Sequence, residues 1–189
     1  MTKKRRLDDI IKSNKRRRTS MFNITNVVKT EEFKNIRDTI NQEEYYRKNN
    51  SPDDILKLVK LSNKAFGEKI QSIIQELLYL EKSNDSGHDA VYNTIKFEIK
   101  SSRYSIRNKD FTWQHIMEEH DYDYLILVGI DFFDLKVFII SKNDFLLLKT
   151  DRVKMQGGGE GQGLWCTYKQ IQTYLYELNN RREFLNFIN

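Results

Sequence analysis

The sequence is short of cysteine and of long apolar runs. Cys166 is the single cysteine among 189 residues, which excludes an internal disulfide framework and favours a reducing, intracellular compartment. No stretch reaches the roughly 18 consecutive apolar residues of a membrane span, and no signal peptide is visible. We therefore expect an intracellular protein, cytoplasmic by default, that does not associate with a membrane.

Histidine is also scarce, and its spacing does not fit a metal centre. His88, His115 and His120 do not stand at metal-ligand intervals from one another or from Cys166. This excludes a zinc site and an HNH-type finger. A general base at His88 stays open as an alternative to a hydrogen-bonded structural role.

Positive charge is concentrated at the start of the chain. Residues 1–20 hold nine lysines and arginines against two acidic residues, whereas the rest of the chain has 23 basic and 25 acidic residues. The formal net charge of +5 therefore belongs to this segment. Its two basic clusters, at 3–6 and 15–18, are typical of a nuclear localisation signal or a DNA-contacting arm, and a solvated tail is the plain alternative. We predict a basic tail over 1–20 and a single domain over 21–189. If the tail is a localisation signal, we expect the protein to be nuclear.

Apolar runs in the second half predict a β-sheet. Tyr124–Ile130 is almost continuously apolar, which is typical of a strand covered on both faces. A turn at 131–134 leads to a second β-rich run, 135–140. Together with the hairpin described below, these strands predict an α/β fold with a mixed central sheet of about four or five strands flanked by helices.

Helical spacing accounts for most of the remaining chain. The pattern predicts one helix from Thr30 to about Glu44, and a longer one from Pro52 to Leu78 that Ser51 would cap. Further helices are predicted in three places: a short one at 111–116, a helix or turn from Ser141 or Asn143 to Leu148, and a closing helix from about Thr167.

A glycine-rich segment at 153–163 separates the last two predicted helices and contains five of the eight glycines. It lacks the GxxxxGK[ST] order of a P-loop. A mobile loop whose Lys154, Gln156 and Gln162 contact nucleic acid is one interpretation. A plain flexible connector is the other.

The run Ile95–Lys100 alternates apolar and charged residues and predicts a half-buried strand. Because side chains alternate between the two faces of a strand, Glu98 and Lys100 share one face, about 6–7 Å apart along the chain. The residues from Gly87 to Thr94 are typical of a turn, a short strand and a tight return. Antiparallel pairing would bring Asp89, nine positions before Glu98, towards the charged face.

This arrangement resembles the PD-(D/E)XK nuclease superfamily, in particular the type II restriction endonucleases. Asp89, Glu98-x-Lys100 and the following Ser101-Ser102-Arg103 carry the resemblance, which covers residues 51–149 with the helix before the hairpin and the apolar strand after it. One departure is His88, which stands where the family name has a proline. The resemblance implies a restriction endonuclease-like fold with its metal-site hairpin at 87–103.

The resemblance also implies a Mg²⁺ site. Asp89 and Glu98 would provide carboxylate ligands and Ile99 a backbone carbonyl, which suits a cation that prefers oxygen and keeps several waters. Lys100 would orient or help to deprotonate the attacking water. Restriction enzymes often add an acid from the preceding helix; Glu68 is the best match here, and Glu76 is an alternative on the same helix.

The function implied is site-specific cleavage of double-stranded DNA by a homodimer, because a two-fold protein matches a palindromic site. Ser102 and Arg103, beside the site, join the glycine-rich segment as candidate DNA contacts. A repair or junction-resolving nuclease of the same superfamily is one alternative. A non-catalytic nucleic-acid-binding protein, in which Glu98 and Lys100 form only a surface ion pair, is another.

Overall fold

A computed structural model describes residues 42–149, 151–155 and 163–189. Its helices are α1 to α6, with bounds Gln42–Lys48, Asp53–Val59, Asn63–Leu78, Lys142–Leu147, Tyr168–Ile171 and Arg181–Ile188. Its strands are β1 to β9, with bounds Glu81–Lys82, Ala90–Tyr92, Ile95–Arg103, Thr112–Ile116, Tyr124–Ile130, Leu135–Ser141, Lys154–Met155, Leu164–Thr167 and Tyr176–Leu178. A 3₁₀ turn, Gln172–Tyr174, follows α5.

The strands form two sheets. Six of them make a mixed sheet in the order β1-β2-β3-β5-β6-β9, and the small antiparallel sheet has the order β4-β8-β7. Only β3 and β5 run parallel to each other in the large sheet, with Glu98 beside Leu125 and Lys100 beside Leu127. The predicted α/β class with a mixed sheet between helices is confirmed, and the sheet is one strand larger than expected.

The two faces of β5 carry two separate cores, as its continuous apolar run predicts. Ile126 and Val128 face the helices α1, α2, α3 and α6, whereas Leu125 and Leu127 face the small sheet with α4 and α5. Gly129 lies against Phe111 of the second core: a Cβ there would stand 2.7 Å from the Phe111 ring. The large sheet is therefore covered on both faces.

The long helix predicted over 52–78 is wrong in one respect, because it is two helices. Pro52 occupies the N-cap of α2 and is not its first residue, and the Ser51 hydroxyl accepts no capping hydrogen bond. The chain leaves α2 after Val59, and the Ser62 side chain starts α3 by accepting a hydrogen bond from Ala65 N at 3.3 Å. The predicted helix from Thr30 lies largely outside the described residues.

The helix predicted at 111–116 is also wrong, since these residues form β4. The register of β4 against β8 shifts between Trp113 and Ile116, and His115 has a φ of 56°. This bulge turns both Trp113 and Ile116 into the core, three residues apart. Helical spacing in the sequence is thus produced by an irregular strand.

The predicted C-terminal helix is a third error. Residues 164–188 instead form β8, α5, the 3₁₀ turn, β9 and α6. Leu178 lies in β9 beside Val137 of β6, and the final helix α6 buries Phe184 and Ile188 in the core. The short strand β1 was not predicted. The two strands at 124–140, the turn between them and the helix that Ser141 caps are confirmed.

Among the described residues, no helix combines the length and apolar character needed to cross a bilayer.

Candidate active site

The predicted hairpin is present, and it leaves part of β3 open. β2 pairs with β3 only over residues 95–97, so that edge of β3 has no strand partner from Glu98 onwards in the described part of the chain. Asp89 precedes β2, and its N–H donates to Phe97 O at 2.9 Å. Its carboxylate then accepts a hydrogen bond from Ile99 N at 2.8 Å. The Asp89 side chain thus takes the place of a strand partner at the first open position.

The main chain of Asp89 is fixed by neighbouring elements. Its carbonyl oxygen accepts hydrogen bonds from Ser83 N at 3.1 Å and from two side chains of α3, Gln75 Nε2 at 3.0 Å and Gln71 Nε2 at 3.4 Å. The carboxylate is therefore held in position by the helix that packs beneath the hairpin.

Glu98 and Lys100 form an ion pair, with 2.6 Å between Oε1 and Nζ. The sequence pattern predicted that they share a face, and this is confirmed. It also predicted a half-buried strand, but Glu98 is only 3% exposed. Burial raises the pKa of Glu98 above its ordinary value; the Lys100 charge opposes this rise, and the Asp89 charge adds to it. Asp89 and Glu98 are thus close enough to repel each other.

His120 and Tyr122 cover the buried carboxylate. His120 Nδ1 lies 3.8 Å from Glu98 Oε1. Burial, and secondarily the Glu98 charge, raises the pKa of Tyr122. Lys142 joins both, since its Nζ donates to His120 O at 2.6 Å and lies 4.7 Å from the centre of the Tyr122 ring.

The sequence interpretation missed the place of His120 in this group. The available signal was topological: in a parallel pair the amino ends of both strands lie together, so residues just before β5 approach Glu98. His88, the other histidine near the hairpin, is buried, and its Nδ1 has no hydrogen-bond partner among the described residues.

Glu68 lies on α3 with 65% of its side chain exposed, and its Oε1 is 3.9 Å from Lys64 Nζ. Glu76 is likewise exposed on the same helix. Within the described ranges, no group of three or more histidine, cysteine, aspartate or glutamate side chains is arranged to hold a metal ion. A third acid from α3 stays a prediction.

Asp89, Glu98 and Ile99 fit the oxygen-rich environment of a hard cation. The Asp89 carboxylate accepts from Ile99 N–H, and Glu98 is the residue before Ile99. N–H and C=O of one strand residue point to the same edge, as Phe97 O also shows. The Ile99 carbonyl is therefore directed to the open edge beside Asp89. This is a donor set suited to Mg²⁺.

The candidate DNA contacts are dispersed. Ser102 Oγ donates to Arg103 O at 3.1 Å and accepts from Thr112 N at 3.0 Å, which joins β3 to β4. Arg103 lies at the open edge, and Lys154 is exposed on β7 in the small sheet. Gln156 and Gln162 lie outside the described residues.

No protein-family model matches this chain, and no curated protein is significantly similar to it. The chemistry of the open edge of β3 therefore has to be inferred from its own side chains.

Proposed function

We propose that the protein is a Mg²⁺-dependent, site-specific DNA endonuclease of the PD-(D/E)XK type with a restriction endonuclease-like fold. The observation that carries the proposal is the buried Glu98–Lys100 pair at the unpaired edge of β3, with the Asp89 carboxylate beside it. Two carboxylates and a lysine brought together at an unpaired sheet edge make a functional-site candidate.

A purely structural role explains this group less well. A buried ion pair contributes little to stability, since desolvation offsets the attraction between its charges. Here a second carboxylate adds repulsion, which raises the pKa of Glu98 further. Such an arrangement costs stability unless a cation relieves it, and this cost is typical of a binding site.

Asp89, Glu98 and the carbonyl of Ile99 would hold the ion. When bound, Mg²⁺ supplies charge neutralisation at the phosphate and lowers the pKa of a bound water. The remaining chemistry belongs to the side chains. Lys100 Nζ, one residue beyond Ile99, orients the attacking water and offsets the negative charge that develops on the phosphate. Glu98 holds Lys100 in place through its 2.6 Å contact.

The proposed substrate is double-stranded DNA, and the proposed assembly is a homodimer. One site per chain cuts one strand, so that cleavage of both strands at a palindrome requires two copies related by a two-fold axis. Sedimentation velocity with and without duplex DNA measures how many copies of the protein the assembly contains.

The test is incubation of the purified protein with long, sequence-diverse duplex DNA in Mg²⁺ or in EDTA. We expect the wild type to produce discrete fragments in Mg²⁺ and none in EDTA. Lys100→Ala should produce none in either condition. The matched control is Lys96→Ala, on the same face of β3 but paired with Asp121, which should cut normally.

Other outcomes separate the alternatives. Cleavage restricted to branched or damaged DNA indicates a repair or junction-resolving nuclease. If Glu98→Ala and Lys100→Ala leave DNA binding intact and no metal supports cleavage of any DNA, the nuclease proposal fails and a non-catalytic binding protein replaces it.

A further inference from the structure

A second polar pocket lies further along the open edge of β3, between the start of α3 and β4. Its volume is about 310 Å³. It is lined by Asn63 and Phe66 from α3, Ser101 and Arg103 from β3, and Thr112 and Gln114 from β4.

Arg103 provides a positive charge with no acidic partner among the described residues. Its Nη1 donates to Asn63 Oδ1 at 3.0 Å and its Nη2 to Leu61 O at 2.5 Å. The guanidinium lies 3.8 Å from the centre of the Phe66 ring. Burial lowers the pKa of Arg103. A half-buried guanidinium held by neutral groups alone keeps its capacity to bind an anion.

The rest of the lining offers hydrogen-bond donors. The Thr112 hydroxyl is buried without a partner, and the exposed Gln114 side chain makes no hydrogen bond within the described ranges. Since Ile99 N–H points to the open edge, the N–H of Ser101, two residues on, points there too. None of the lining residues is acidic. A fixed guanidinium among donors suits a group with several acceptor oxygens.

We propose that this pocket holds one backbone phosphate of the DNA strand that is cut at Glu98 and Lys100. Arg103 is three residues beyond Lys100, or about 10 Å along β3, and its side chain lies against α3 on the opposite face from Lys100, with the open edge between the two. A strand crossing the reactive site along this edge therefore reaches the pocket within a few nucleotides. The statement that the same strand is cut rests on the proposed function. Binding of a phosphate in the pocket does not depend on it.

The test is the salt dependence of binding to a labelled duplex in EDTA, where no cleavage occurs. Arg103→Gln should bind about tenfold more weakly at low salt, because the charge-assisted hydrogen bond to the phosphate is removed. The slope of log K against log salt concentration should fall in magnitude by about one, the value for one phosphate.

Arg181→Gln is the matched control. Arg181 also has a backbone carbonyl partner, Leu78 O at 3.4 Å from its Nε, and it also stacks on an aromatic ring, Tyr79 at 4.3 Å. It lies outside the pocket, and its variant should match the wild type in affinity and slope.

Gln114→Ala provides a test that does not depend on the folding of Arg103→Gln. Because the Gln114 side chain has no described hydrogen bond to lose, this variant should keep the native circular dichroism spectrum. It should bind DNA about threefold more weakly.

Three results separate the two proposals. Unchanged affinity and slope in a folded Arg103→Gln overturn the pocket, even if the wild type cuts DNA. Weakened binding in a protein that cuts nothing supports the phosphate site and refutes the nuclease. If millimolar inorganic phosphate stabilises the wild type but not Arg103→Gln, and their DNA affinities are equal, the pocket binds a free anion and the proposal is wrong.

Discussion

Asp89 combines a charge with a hydrogen bond, and two substitutions separate them. Asp89→Asn retains an oxygen that can accept from Ile99 N, so the unfolding temperature should stay near that of the wild type. Asp89→Ala removes this acceptor, which should cost about 0.5–1.5 kcal/mol. Both variants should cut DNA at least about 100-fold more slowly, because neither keeps the Asp89 carboxylate that would hold the proposed ion. Thermal unfolding and cleavage rates check this; an Asn variant that cuts normally would remove Asp89 from the chemistry.

Glu98 should make stability depend on pH. Its pKa is raised in the folded protein, chiefly by burial, above the ordinary 4.5. Its protonated form therefore favours folding below the ordinary value, and this contribution is lost as the pH rises through the raised pKa. Glu98→Gln has no proton to lose. The unfolding temperature of Glu98→Gln minus that of the wild type should therefore increase by a few degrees as the pH rises from about 4 to about 8.

The control for this prediction is Glu44→Gln, at an exposed glutamate on α1 that pairs with Lys48. Thermal unfolding of this variant across the same pH range measures the effect of replacing a carboxylate where no burial is involved. A difference between Glu98→Gln and the wild type that does not change with pH would show that burial does not perturb Glu98.

The proximity of Asp89, Glu98 and Lys100 was predictable where it depends on neighbours in sequence. The period of two in β3 and the tight hairpin place Asp89 beside Glu98 and Lys100, and both signals are local. The burial of Glu98 was not predictable from local patterns, because His120 and Tyr122 reach it through the parallel pairing of β3 with β5, and that pairing has to be known first. No pattern in one sequence specifies which strands pair across such a distance.

At the scale of elements, the buried hydroxyl of Tyr46 links α1 to the sheet, together with Gln42, whose Nε2 donates to Tyr104 O at 2.7 Å. Tyr46 OH donates to Ile130 O at 2.5 Å and accepts from Tyr104 N at 2.8 Å, where β3 and β5 end. Tyr46→Phe should therefore cost about 0.5–1.5 kcal/mol, since it removes the hydrogen bonds of the hydroxyl while Tyr104 N still donates to Ile130 O at 2.9 Å. Urea unfolding should show a lower midpoint with an unchanged m value.

The matched control is Tyr45→Phe on the same helix. The Tyr45 ring packs against Phe132, but its hydroxyl has no hydrogen-bond partner in the part of the chain that the structure describes. Its removal should change stability by less than about 0.5 kcal/mol. Equal effects of the two substitutions would contradict the attachment through Tyr46.

Helices and strands were predicted correctly where the spacing of apolar residues is regular. The predictions were wrong where this spacing is irregular. β5 and β6 are continuous runs, and both were found. β4 was taken for a helix because its bulge buries Trp113 and Ile116 at a helical interval. The closing segment failed for a related reason: Ile171 and Leu178, seven residues apart, fit two turns of a helix but belong to α5 and β9.

For the whole molecule, the segment 1–20 should set the strength of non-specific DNA binding. Its removal changes the formal net charge from +5 to −2. Binding at low salt should weaken, and the salt slope should fall in magnitude by about 0.9 for each phosphate that the segment neutralises in the full chain. Cleavage by a saturating amount of the shortened protein should continue at an unchanged rate. Fluorescence anisotropy and single-turnover kinetics measure the two effects, and an inactive protein at saturation would assign the segment a part in catalysis.

Because Cys166 lies in the small sheet, thiol modification can measure the opening of this sheet without any substitution. The thiol is fully buried on β8, beside Trp113 of β4, and burial raises its pKa to about 12. A thiol reagent can therefore react only when the sheet opens, and the modification rate reports that opening. Because β4 also carries Thr112 and Gln114, slower modification in the presence of DNA would show that the nucleic acid holds this sheet closed.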